Sequence, residues 1–107
     1  MSERKQIRDE IVSKLPELQL IGNERYKQAV IDIWADVYAE SDFTRLEDVP
    51  KSGDAREYTN LQHTRSVTLQ ALACADVIER VHGIKVDRDQ LITAALLHDV
   101  SKLLEYY

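Results

Sequence analysis

The sequence predicts an all-α fold, a small helical bundle of about five helices. Three observations carry that expectation. Apolar residues recur at three- and four-residue spacing, and no segment of any length alternates with period two. Only three Gly and two Pro interrupt 107 residues, so long helices can run unbroken. The interruptions that do occur coincide with helix start and stop signals.

The first segment, Ser2 to Lys14, carries Ile7, Ile11 and Leu15 on one helical stripe among charges. Pro16 either ends that helix or opens a short turn at its first position. Gly22-Asn23 reads as a stop followed by an N-cap. From Glu24 to Glu40 the stripe is Tyr26, Ala29/Val30, Ile33/Trp34 and Val37. Trp34 and Tyr26 read as core residues there. Residues 41–60, SDFTRLEDVPKSGDAREYTN, break the pattern. Thr44 followed by Glu47 has capping-box spacing and predicts a short helical turn. Pro50, Ser52, Gly53 and Asp54 predict irregular chain, and loops of this length are often functional.

A second strong helix follows, capped by Thr59 or Asn60, with His63, Val67, Ala71, Cys74, Val77/Ile78 and Val81 along one stripe. Gly83 breaks it. Asp87 with Gln90 predicts a second cap, launching Leu91, Ala94/Ala95 and His98 on one face. GIKVD, residues 83–87, is the one strand-like piece. The expected organisation is a single domain over 1–107: helices to residue 40, an irregular loop over 41–59, and motif-bearing helices over 60–107.

Composition narrows the function classes. A chain of 12.3 kDa has room for one hydrophobic core. Its net charge of −5 and pI of about 5.1 argue against phosphate-neutralising nucleic-acid binding. A helix-turn-helix reading is weak too, since DRDQLITAALL carries one Arg and two Asp near its start. One cysteine excludes an internal disulfide framework and a cysteine-built zinc site. The N-terminal MSERKQIRDE has no apolar signal core, and no run of 18 apolar residues occurs. A soluble, cytoplasmic protein with no membrane and no nucleic-acid partner is expected.

The chemistry gathers at three residues. His63 opens one long helix, and the adjacent His98-Asp99 follows the apolar run LITAALL at the end of another. An imidazole on an apolar face needs a partner, because burying it unsatisfied costs about 1–3 kcal/mol. Two imidazoles and one carboxylate converging on a point form a divalent-metal half-site, suited to Fe, Mn, Zn or Co. Convergence is feasible if residues 83–86 run extended between the two helices.

HTRSV at 63–67 and AALLHDVSK at 94–102 resemble the two motifs of the HD-domain metal-dependent phosphohydrolases. In that family a His opens a helix, and small apolar residues later lead into His-Asp, often continued as Ile-Gly-Lys. Here the continuation is Val100-Ser101-Lys102, which keeps the lysine and replaces the glycine. The resemblance covers about residues 60–104 and implies a helical bundle of the HD-domain type. By resemblance His63, His98 and Asp99 are metal ligands, with Asp99 bridging where two metals bind. Lys102 would lie near the substrate phosphate, making Asp99 and Lys102 the catalytic candidates. The implied cofactor is a divalent metal (Fe, Mn, Zn, Co, Ni or Mg), and the implied reaction is hydrolysis of a phosphomonoester or phosphodiester, with nucleotides among the substrates. The family adds a further Asp well downstream, whereas this sequence ends at Tyr107, so the C-terminal helices of the family are expected to be missing. A fragment, a site completed by another chain, and a half-domain without activity are the three readings; a homo-oligomer is expected from the helices so exposed.

Each residue also has an ordinary reading. His63 alone is a helix-start histidine, and His98-Asp99 alone is a histidine steadied near a helix C-terminus. Arg45, Lys51, Arg56 and Arg65 are further candidates for phosphate contacts, Arg65 being retained as substrate-binding, or are plain surface charges. Lys102 reads equally as a solvated lysine, His82 as a helix-end histidine, and Cys74 as a small core residue. Asp36, Asp48 and Asp54 are candidate substitute carboxylates. The alternative to a phosphohydrolase is a non-catalytic helical module for ligand sensing or subunit association.

Overall fold

The computed structural model describes residues 2–51 and 58–105. The fold is all-α, and most helix ends lie where the start and stop signals predict. Helix α1 spans Ser2–Lys14, and Pro16 opens a 3₁₀ turn, Pro16–Leu20, that follows directly. Asn23 Oδ1 accepts from the backbone N–H of Arg25 and Tyr26, starting α2 at Glu24–Glu40. Helix α3, Asn60–Val77, begins in a complete capping box between Thr59 and Gln62. A π-helical turn, Ile78–His82, extends α3 to Gly83, whose φ of 68° is one that glycine adopts without strain. Asp87 then accepts from Gln90 N to start α4, Arg88–Leu97, and a last short helix, α5, covers Lys102–Glu105.

Removing the Thr59 hydroxyl frees the N–H of Gln62 at the start of α3. Thr59→Ala is expected to cost about 1 kcal/mol, read as a lower urea midpoint with an unchanged slope.

The core is built around Trp34, which is fully buried and donates from Nε1 to the carbonyl of Leu96 at 2.9 Å. Ile11 of α1, Leu15, Leu18 and Ile21 after it, and Val30 and Ile31 of α2 surround it, with Ile92 and Leu96 of α4 and Leu103 of α5. Polar ties fix the elements against each other. Asp89 on α4 accepts from the backbone N–H of Gly22 and Asn23, each at 2.9 Å. Arg65 on α3 meets both oxygens of the buried Glu17. Glu79 accepts from Val86 N and Arg88, which folds the 83–87 connection back so that α4 lies along α3.

Several local expectations are corrected. GIKVD forms no strand; β-pairing among the described residues is the isolated bridge between Pro50 and Thr59. The capping box at Thr44 and Glu47 does not form. Arg45 precedes the 3₁₀ turn Leu46–Asp48 without a side-chain cap, and Glu47 instead pairs with Lys14. The 41–51 stretch is better anchored than irregular chain, because Leu46 and Val49 are each 1% exposed in the core.

The buried face of α3 is also one step from the predicted stripe. It runs Leu61, Thr64, Thr68 and Ala75, while Cys74, Val77, Ile78 and Val81 face solvent. Two threonines hid the true face. Thr68 Oγ1 donates to the carbonyl of Thr64 at 2.8 Å, which lets that hydroxyl be buried. On α2 the face centres on Val30, Ile31, Trp34, Ala35 and Tyr38, with Ile33 turned outward.

Candidate metal centre

His63 stands in the first turn of α3, and His98 closes the C-terminal end of α4 with Asp99 beside it. The antiparallel packing of α3 on α4 brings the two ends together. His63 Nε2 lies 3.3 Å from Asp99 Oδ2, and His98 Nε2 lies 3.2 Å from the same oxygen. The two Nε2 atoms are 3.4 Å apart. The site does not project from a buried wall as the apolar run suggested: the side chains keep 24% exposure at His63 and Asp99 and 34% at His98.

These separations can be tested against a coordination polyhedron. Bonds of about 2.1 Å from one ion put neighbouring ligand atoms about 3.0 Å apart in an octahedron and about 3.4 Å in a tetrahedron. All three separations fall in that interval. Protonation supports the same reading. His98 Nδ1 is 2.7 Å from the carbonyl of Ala95, an acceptor, so Nδ1 carries a proton and Nε2 is the ring nitrogen turned to the cluster. That nitrogen faces a carboxylate oxygen at 3.2 Å, a gap that a proton or a shared metal ion would bridge. Burial holds the His63 imidazole below the usual histidine range; His98 and Lys51 press the same way, while Asp99 opposes them. A neutral imidazole is the form that ligates a metal. The residues present therefore fit a divalent ion with mixed nitrogen and oxygen ligands.

Asn60 is a site residue that pattern reading took only as an alternative cap. It is 1% exposed, and its Nδ2 donates to the backbone carbonyl of Asp99 at 3.2 Å. That bond ties the start of α3 to the turn carrying the carboxylate. The only hint in sequence was an amide three residues before His63. Asn60→Ala is expected to weaken metal affinity about 10–100-fold, the usual effect of losing a group that orients a ligand. The measurement is a metal titration at a temperature where the variant retains full helix content.

The other candidates are dispersed. Arg65 turns to Glu17 rather than to the cluster, and Lys102 Nζ meets Glu105 at 3.3 Å. Arg45 pairs with Asp48 and Asp36 with Arg4, so neither aspartate joins the three ligands. His82 lies exposed in the π turn. Cys74, expected in the core, is exposed. Arg56 and Asp54 fall outside the described residues. Lys51 is brought to His63: the two share the lining of one cavity.

The structure is thus a helical domain with two imidazoles and one carboxylate at a helix–helix junction, a group that could hold a metal ion. The family model for the HD domain matches residues 60–107, a little under half of the chain. The chain is 52% identical over 46 residues to a dihydroneopterin 2',3'-cyclic phosphate phosphodiesterase of Methanocaldococcus jannaschii. The matched stretch is 43% of this chain and 18% of that relative's length. No solved structure matches the chain. Among the described residues, no helix is long and apolar enough to cross a membrane.

Proposed function

We propose that this chain carries the metal-binding half of a phosphoester hydrolase, with His63, His98 and Asp99 as the ligands and a small phosphate ester as substrate. The observation that carries the reading is the mutual spacing of the three ligand atoms, 3.2, 3.3 and 3.4 Å, with the His98 tautomer set by Ala95. A divalent ion held there would lower the pKa of a bound water toward neutrality and offset charge on phosphate oxygens. The chain's own contribution is orientation: Ala95 aims the His98 ring, Asn60 holds the backbone of Asp99, and the partial exposure of all three ligands leaves room for substrate. The relative's name makes a cyclic phosphodiester the first substrate to try and a phosphomonoester the second.

A test that needs no substrate comes first. Elemental analysis of purified protein is expected to find near-stoichiometric Fe, Mn, Zn, Co or Ni, lost in His63→Ala. Hydrolysis of a cyclic phosphodiester should then follow the metal content across preparations. No metal above background after reconstitution would remove the reading.

One observation favours the second reading, a non-catalytic module. Among the described residues, only three ligating side chains gather at this point. Metal uptake without hydrolysis of any phosphate ester would select that reading. For the expected self-association, Leu69, Val77, Ile78, Val81 and Ile84 are exposed on α3 and its extension. Light scattering checks it, and the mass of a single chain at high concentration would remove it.

A further inference from the structure

Beside His63 the surface opens into a cavity of about 450 Å³ lined by Lys51, Tyr58, Gln62, His63, Ser66 and Gln70. Its walls are built by two elements. Gln62, Ser66 and Gln70 stand one turn apart along α3, and Gln70 Nε2 donates to Ser66 Oγ at 2.8 Å. The opposite wall comes from the two chain legs that meet ahead of α3. Lys51 N donates to Tyr58 O at 3.2 Å, Asn60 N donates to Val49 O at 2.8 Å, and Pro50 bridges Thr59 between them. That short ladder sets Lys51 opposite Tyr58, with the Lys51 ammonium 5.7 Å from the centre of the Tyr58 ring.

Among the described residues that line this cavity, Lys51 is the cation and there is no carboxylate. Lys51 also differs from the other cations considered for phosphate contact. Arg45, Arg65 and Lys102 each pair with a carboxylate, whereas among the described residues Lys51 makes no ion pair and rests on an aromatic face. An ammonium that rests on a ring, in a cavity it shares with His63, is placed to take an oxyanion. The volume lies within the range of small-molecule sites, about 300–1,000 Å³, and exceeds what a phosphate group alone would fill. Tyr58 is half exposed and offers a flat ring, while the two glutamine amides present neutral donors and acceptors.

We propose that Lys51 and Tyr58 are the substrate-recognition wall of this site, Lys51 binding the non-reacting phosphate oxygens and Tyr58 receiving a flat heterocyclic ring of the esterified group. Among the phosphate esters that the reading above allows, this wall favours those carrying a flat ring. The assignment rests on the phosphoester reading above, yet it can be tested apart from catalysis. When the ammonium engages phosphate, the ring face it covered becomes free for stacking.

Calorimetric binding of adenosine monophosphate, ribose 5-phosphate and inorganic phosphate, to chelator-treated and to Mn-loaded protein, separates the contributions. The expected order is adenosine monophosphate tightest. Lys51→Met should weaken all three about 10–100-fold, the range for a hydrogen bond to a charged group. Tyr58→Leu should weaken adenosine monophosphate alone, bringing it level with ribose 5-phosphate. Both positions are outside the core, and circular dichroism checks that each variant keeps its helices. Lys51→Met binding like wild type overturns the phosphate contact, and equal affinity of wild type for the two sugar phosphates overturns the ring contact. Failure of wild type to bind any of the three overturns both. A chain that takes up no metal yet shows the Lys51 and Tyr58 dependence refutes the metal reading and leaves this one standing.

Discussion

Asp99→Ala is expected to lose metal affinity by more than about 100-fold, exceeding the cost of removing a group that only orients a ligand. Any metal-stimulated hydrolysis should fall with it to the level of metal-free protein. The reason is charge. Asp99 is the carboxylate of the cluster, and without it two neutral imidazoles face a divalent ion. The fold should survive, because Asn60 bonds the backbone carbonyl of residue 99, which alanine retains. Asp99→Asn sharpens the test by keeping the shape and removing the charge, and it should behave like alanine. Elemental analysis with circular dichroism on the same samples reads both outcomes. Unchanged metal content in either variant would sink the proposed site.

Trp34→Ala should produce the largest loss of stability in the chain. Trp34 is fully buried, and large aromatic truncations in cores cost about 3–5 kcal/mol. Its loss also leaves the Leu96 carbonyl without the indole donor, which adds about 1–3 kcal/mol if no water replaces it. Domains of this kind have about 5–15 kcal/mol in total, so the variant sits near or below the folding margin. Trp34→Phe keeps most of the packing and should cost only the part due to the hydrogen bond and the smaller ring. Urea unfolding must be followed by far-ultraviolet circular dichroism, since the chain has a single tryptophan. The site should fail with the core, because Leu96 lies two residues before His98. An unchanged urea midpoint in Trp34→Ala would contradict the packing described here.

Local signals were legible wherever a side chain satisfies its own neighbourhood. Thr59 with Gln62, Asn23 with Arg25 and Tyr26, and Asp87 with Gln90 are all contacts within three residues, and the helix starts were readable from them. The same logic failed at Thr44 and Glu47, where a distant partner won: Lys14, 33 residues away, takes the carboxylate that the capping box required. It failed again on α3, where counting Thr64 and Thr68 as polar put Cys74 and Val81 on the wrong face.

The site divides in the same way. His63, His98 and Asp99 stood out in the sequence because their residue types suit a divalent ion and their surrounding strings, HTRSV and AALLHDVSK, resemble the HD-domain motifs. Their 3.2–3.4 Å convergence was not, since it depends on how the 83–87 connection folds back under the hold of Glu79. Nor was the choice among the cations. Arg65, two residues from His63, is claimed by buried Glu17, while Lys51, distant in sequence, is carried to the cavity by a backbone ladder. Most helices and their caps could be read from the sequence, because those follow from interactions within a few residues. Which faces are buried, which charges are spent on ion pairs and which cation lies beside His63 depend on tertiary structure, since each needs partners that chain folding alone brings near.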